Sequence, residues 1–141
     1  MLNVLVTGAT GFVGQHLIKR LKLDGCNIKV ISRRPVLGVE VIICDFLKDD
    51  IPENALKDID IVFHLAGYAH DLKNEPEIEE TYQKINVNVT VDLLSLSAKH
   101  DVKKFIFVSS VKAGGISRQG KCVTEKSLSE PDGVYGKTKR E

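Results

Sequence analysis

Apolar residues in this chain gather into short runs of Val, Ile, Leu and Phe, and these runs alternate with longer stretches of helical spacing from the N-terminus onward. The runs at 2–7, 28–32, 40–44, 60–65 and 103–109 are predicted strands. They are apolar on both sides, as a sheet covered on both faces requires. After the first run, Leu17, Ile18 and Leu21 recur on one helical face, and Gly25 is a candidate C-cap. The longest helix is predicted from Pro76, a good first-turn residue, to about His100, with Ile78, Tyr82, Ile85, Val89, Leu93 and Leu96 at three- and four-residue steps. That stripe reads as core. Residues 111–133, with Gly114, Gly115, Gly120, Pro131, Gly133 and several charges, read as a long loop. The alternation predicts an α/β fold, a doubly wound parallel sheet with helices on both faces, in a single domain over 1–141.

Between the first strand and first helix stands Thr7-Gly8-Ala9-Thr10-Gly11-Phe12-Val13-Gly14. A glycine at 8 lets the chain turn sharply out of the strand, one at 11 removes the side chain where a pyrophosphate would approach, and one at 14 lets the helix pack closely on the sheet. Free N–H groups and the helix dipole then favour an anion at that terminus. The spacing is G-x-x-G-x-x-G, one residue longer in its first gap than the commoner dinucleotide fingerprint.

Composition narrows the function classes. The net charge is +1 and basic runs are lacking, which argues against a nucleic-acid surface or a polybasic membrane surface. Apolar runs are too short to span a bilayer and nothing resembles a signal peptide, so a cytoplasmic protein without a membrane partner is expected. Cys26, Cys44 and Cys122 lack C-x-x-C spacing, and the histidines at 16, 64, 70 and 100 lack metal-ligand spacing, so neither a disulfide framework nor a metal site is expected.

A second candidate site is Tyr135-Gly136-Lys137-Thr138-Lys139. On a helix, a Tyr-x-x-x-Lys pair puts phenol and ammonium one turn apart on the same face. A free tyrosine ionises near pH 10, and a neighbouring ammonium together with a cationic nicotinamide would favour the phenolate, fitting it to exchange a proton with a substrate hydroxyl.

With Asp45 after the third strand, His64-Leu65-Ala66-Gly67 after the fourth, Asn86-Val87 in the long helix and Phe107-Val108-Ser109-Ser110 at the fifth, the whole chain resembles the extended branch of the short-chain dehydrogenase/reductase family, the nucleotide-sugar epimerases and dehydratases. The resemblance implies a Rossmann-type domain with Tyr135 as acid/base, Lys139 on the nicotinamide ribose, and Ser110 hydrogen-bonded to the reacting oxygen. Gly8, Thr10, Gly11, Phe12, Val13 and Gly14 would line the cofactor's phosphates, Asp45 and Phe46 its adenine, and Leu65, Ala66 and Gly67 would pass beneath it. Val111-Lys112-Ala113-Gly114-Gly115 replaces the family's frequent Val-Tyr-Gly, Thr138 replaces its serine and Val134 its proline. Family members continue well past the position of Glu141, and the substrate domain is expected there; a nucleotide-sugar substrate belongs to the full-length protein, and a homodimer is one assembly open to it.

The end of the second strand carries Ser32-Arg33-Arg34 instead of the acidic residue that usually bonds a ribose 2′-hydroxyl. Two guanidiniums suit a 2′-phosphate, so NADP is favoured over NAD, with Arg33 the candidate contact. Epimerase, dehydratase and reductase chemistry stay open, as does a binding module without turnover, although Ser110, Tyr135 and Lys139 together favour an enzyme.

Overall fold

The computed structural model of the chain describes residues 1–69, 76–115, 122–127 and 129–141. These fall into two compact units, Met1–Ala66 with Val89–Val108, and Gly67–Asn88 with Ser109–Glu141.

The first unit is a five-stranded parallel sheet: β1 (Asn3–Thr7), β2 (Asn27–Ser32), β3 (Glu40–Ile43), β4 (Ile61–His64) and β5 (Lys104–Phe107), in the order β3-β2-β1-β4-β5. β1 pairs with β2 through Val6 opposite Val30, and with β4 through Val6 opposite Phe63. Successive residues of each strand feed opposite faces. Leu5, Ile31 and Val62 join Val89 and Leu93 of helix α3 (Val89–Lys99) in one core, while Val4, Val6, Ile28 and Val30 join Ile18 and Leu21 of helix α1 (Phe12–Leu23) in the other. Helices therefore cover both faces, and the fold is the expected Rossmann-type doubly wound sheet. All five expected strands are present. The fifth stops at Phe107, so Ser109 and Ser110 lie beyond it and not at its end.

α1 ends as its glycine foretells. Gly25 takes φ +71°, its N–H reaches the Lys22 carbonyl (3.1 Å), and the Cys26 N–H reaches that of Leu21 (3.0 Å). These are the two bonds of a Schellman motif, which absorbs carbonyls the helix would otherwise leave open.

The second unit holds α2 (Pro76–Tyr82), a π-helical segment (Gln83–Asn88), a 3₁₀ turn (Val111–Gly114) and α4 (Gly133–Arg140). Two expectations are corrected here. The predicted uniform helix from Pro76 to about His100 is instead α2, the π segment and α3 in succession. Its apolar stripe divides accordingly: Val89, Leu93 and Leu96 pack into the first unit's core, whereas Tyr82 packs against tyrosine rings of the second unit. The predicted loop at 111–133 opens with the 3₁₀ turn, capped by the Ser110 hydroxyl accepting from the Lys112 N–H (3.3 Å), and α4 begins at Gly133. Residues 116–121 and 128 of that loop, and His70, lie outside the described residues. Among the described residues, no helix is long and apolar enough to cross a membrane.

Candidate functional site

In the first unit the strand order reverses between β1 and β4, and the segments leaving those two strands meet. That switch point is where open α/β sheets bind ligands. Gly8 holds φ +71°, and a Cβ there would stand 2.7 Å from the Ala66 nitrogen. A Cβ at Gly14 would stand 2.2 Å from the Gly8 carbonyl oxygen. Both glycines are demanded by the chain's own packing. Gly11 is different: its φ is −75°, open to any residue, and a Cβ would meet only the Gly8 oxygen at 3.3 Å. The fold therefore asks less of a glycine at 11 than at 8 or 14, and the missing side chain leaves room for close approach by a ligand.

Gly11 is also the N-cap of α1, without a side-chain cap and without an acidic residue in the first turn. The helix thus keeps N–H groups and the positive end of its dipole for an anion. Thr10, Phe12 and Val13 are exposed around it, and the Phe12 ring meets His16 edge-on at 5.0 Å. These residues make a cradle that suits a pyrophosphate.

Beneath the turn lies a buried polar core that sequence reasoning did not assign. Thr7 Oγ1 is 2.6 Å from His64 Nδ1, and His64 Nε2 is 2.9 Å from Thr90 Oγ1. Both Thr7 and His64 are fully buried. The Thr7 hydroxyl also accepts the Ala66 N–H (3.1 Å), and the Leu65 N–H bonds the Thr7 carbonyl (3.3 Å). His64 and Thr7 thereby fix the backbone of Leu65 and Ala66 against the glycine turn. A histidine inside an apolar strand run was the available signal.

At the far strands, Arg33 and Arg34 are exposed, and the Ser32 hydroxyl accepts the Arg34 N–H (3.2 Å). Among the described residues, neither arginine has a carboxylate within salt-bridge distance. The Cys44 N–H bonds the Ser32 carbonyl (3.1 Å), continuing the β2–β3 ladder one step. Asp45 accepts the Leu47 N–H (3.1 Å) on Oδ1, while Phe46 is half-buried against the core.

The second unit holds the Tyr-x-x-x-Lys pair on α4, as its spacing predicts. Lys139 is buried, and that burial holds its ammonium down to about 8. Tyr135 is half-buried, and Ser110 is half-buried at the head of the 3₁₀ turn. The Ser109 hydroxyl donates to the Lys139 carbonyl (3.2 Å), and Lys112 pairs with Asp132 (3.2 Å), so two contacts join the Ser109–Lys112 stretch to α4 and its cap.

Asn86, in the π segment, organises this unit. Its Oδ1 accepts the Tyr68 N–H (2.7 Å), while its Nδ2 donates to the Tyr68 carbonyl (3.1 Å) and to Thr138 Oγ1 (3.0 Å). One buried amide thus holds a peptide on one side and α4 on the other. A Cβ at Gly67 would meet Asn86 Oδ1 at 3.3 Å and Lys139 Nζ at 3.7 Å, so Gly67 lies directly against the buried ammonium. The Asn86-Val87 motif carries no sign of this task in the sequence, because the partners of Asn86 are distant along the chain.

The family model for NAD-dependent epimerases and dehydratases matches residues 4–141. The chain is 33% identical to a UDP-glucose 4-epimerase of Vibrio cholerae over 99% of its own length and 44% of the relative's. It is 34% identical to UDP-glucose 4-epimerase 2 of Oryza sativa subsp. japonica, over 97% of its length and 38% of the relative's. Among solved structures it is similar to UDP-glucuronic acid 4-epimerase from Bacillus cereus in complex with UDP-glucuronic acid and NAD, with TM-score 0.83, 28% identity, and coverage of 98% of this chain and 49% of that one. The chain therefore spans less than half the length of these relatives. A match across nearly all of its residues, on the fold just described, establishes that the chain belongs to the NAD-dependent epimerase/dehydratase family.

Proposed function

We propose that residues 1–141 form the NAD(P)-binding domain of a nucleotide-sugar epimerase or dehydratase, with the sugar nucleotide handled by a longer protein that adds a substrate domain. The observation that carries this reading is Gly11: it heads an uncapped helix at the switch point, and the chain's own packing opposes a side chain there through a single contact, with the Gly8 oxygen. The UDP-sugar epimerase relatives and the NAD bound by the Bacillus cereus epimerase support it.

In this reading the pyrophosphate lies on Gly8, Thr10, Gly11, Phe12, Val13 and Gly14. Leu65, Ala66 and Gly67 let the cofactor approach the backbone, and Asp45 and Phe46 contact the adenine. When bound, the nicotinamide supplies hydride acceptance and donation. Tyr135 takes the proton from the sugar hydroxyl and returns it to the ketone oxygen, and Ser110 donates a hydrogen bond to that oxygen. Lys139, buried and one turn along α4, bonds the ribose and steadies charge on the tyrosine. The exposed Ser32-Arg33-Arg34 stretch favours the 2′-phosphate of NADP, because guanidinium grips phosphate through a bidentate fork.

The test uses the full-length protein with a panel of UDP-, GDP- and dTDP-sugars. Wild type should interconvert at least one. Tyr135→Phe should lower kcat by about 10²- to 10⁴-fold while leaving cofactor affinity nearly intact, the signature of a lost proton-transfer group. Full turnover by Tyr135→Phe on a sugar that wild type accepts would remove the acid/base assignment.

A further inference from the structure

The chain has three tyrosines and no tryptophan, and all three tyrosines form one file of ring contacts. Tyr68 meets Tyr82 edge-on, with centroids 4.9 Å apart and an interplanar angle of 79°, and Tyr82 meets Tyr135 at 6.2 Å and 53°. The middle ring is only 5% exposed, whereas the outer two are half-buried. Each outer ring is therefore packed on Tyr82.

Backbone restraints are already provided for both outer tyrosines. Asn86, four residues beyond Tyr82, grips the Tyr68 peptide at both its N–H and its carbonyl, and its third bond goes to Thr138, three residues beyond Tyr135. Those backbone bonds do not themselves fix the Tyr135 ring about its side-chain torsions. A phenol that exchanges protons must keep its oxygen within hydrogen-bond reach of one substrate atom, and misplacement by about 1 Å is enough to cost about 100-fold in rate. Among the described residues, the aromatic ring that meets Tyr135 is that of Tyr82, which in turn meets Tyr68.

We infer that Tyr82 is a positioning residue: its buried ring, wedged edge-on by Tyr68, holds the Tyr135 phenol in one orientation for proton exchange. The inference rests on the acid/base reading of Tyr135. The aromatic ring does this work and not its hydroxyl, so Phe at 82 serves as well as Tyr, and an aliphatic residue does not.

Two measurements separate this inference from that reading. In the full-length enzyme, Tyr82→Leu should lower kcat about tenfold or more, with substrate KM and cofactor Kd within about twofold of wild type, and Tyr82→Phe should restore kcat. Should Tyr82→Leu fail to fold, Tyr68→Leu removes the brace alone and should lower kcat in the same direction by less. In the 141-residue chain, the near-ultraviolet circular dichroism of the tyrosine band needs no turnover. Tyr82→Phe and Tyr82→Leu both remove the Tyr82 signal, so if the Tyr82 ring orders both neighbours the Leu variant should lose clearly more of the tyrosine band than the Phe variant. Unchanged kcat in Tyr82→Leu, or equal losses of kcat or of dichroism in the Phe and Leu variants, would each overturn the inference. A wild type that turns over no nucleotide sugar would sink the acid/base reading, and the dichroism would still decide whether Tyr82 orders Tyr135.

Discussion

At the scale of single residues, the three glycines of the first turn differ in why they are glycine, and substitution can separate the reasons. Gly14→Ala forces a methyl to 2.2 Å from the Gly8 carbonyl oxygen, so it should destabilise the chain by about 1–3 kcal/mol, the usual cost of overpacking. Gly11→Val, at an ordinary extended conformation with one tight neighbour, should cost under about 1 kcal/mol, as an apolar N-cap does. It should nonetheless abolish binding of NAD or NADP. Urea titration reads the stabilities and calorimetry reads the binding; a Gly11→Val chain that binds like wild type would mean that the pyrophosphate lies elsewhere.

Lys139 makes a second residue-scale prediction. Burial lowers its ammonium from the ordinary 10.5 to about 8. Between those values the unfolded chain binds the proton and the folded chain does not, so ν_U exceeds ν_N and stability rises with pH across that window. Below about pH 8 both states carry the proton, and the penalty for burying the charge is fully present. Comparing urea midpoints at pH 8 and pH 10 in wild type and in Lys139→Met cancels the other groups that titrate there. The gain on going to pH 10 should be larger in wild type, and parallel curves would refute the burial argument.

At the scale of elements, the sequence was readable wherever burial is local and periodic, and unreadable wherever a long-range partner decides. β1 and β2 appear where their apolar runs predict, because a strand covered on both faces has no polar side to spare. The end of α1 is legible for the same local reason: the Schellman bonds involve only residues 21–26. Gly25→Ala tests this cleanly, since a Cβ there meets nothing within 4 Å and only the left-handed backbone resists it. The expected loss is about 1 kcal/mol, seen as a lower urea midpoint at unchanged slope. The π segment, by contrast, is invisible in an apolar stripe whose steps all suit an ordinary helix. Its defining side chain, Asn86, bonds a peptide eighteen residues upstream and a hydroxyl fifty-two residues downstream, and no local pattern encodes either. The candidate site divides in the same way: the glycine turn and the Tyr-x-x-x-Lys pair are short motifs legible in the sequence, while the Thr7–His64–Thr90 network and the tyrosine file join residues far apart along the chain and are not.

At the scale of the whole molecule, the proposed cofactor becomes a term in the stability of the chain. A ligand that binds only the folded state at 100 times its Kd adds about 2.7 kcal/mol. For a chain of 141 residues, each kcal/mol moves the midpoint by about 3 °C, so saturating cofactor should raise Tm by about 8 °C. Calorimetric scans of the chain with NADP and with NAD at equal concentration then read the choice between them. Charge-assisted bonds contribute about 1.5–3 kcal/mol each, so if Arg33 and Arg34 hold a 2′-phosphate, NADP should bind at least about tenfold more tightly. Its shift should exceed that of NAD by about 4 °C, since a tenfold difference in Kd is about 1.4 kcal/mol. Replacing both arginines by alanine should bring the two shifts together, and Gly11→Val should flatten both. Equal shifts in the wild type would return the arginines to solvent and favour NAD held by backbone groups, whereas no shift from either cofactor would remove the dinucleotide site from this chain altogether.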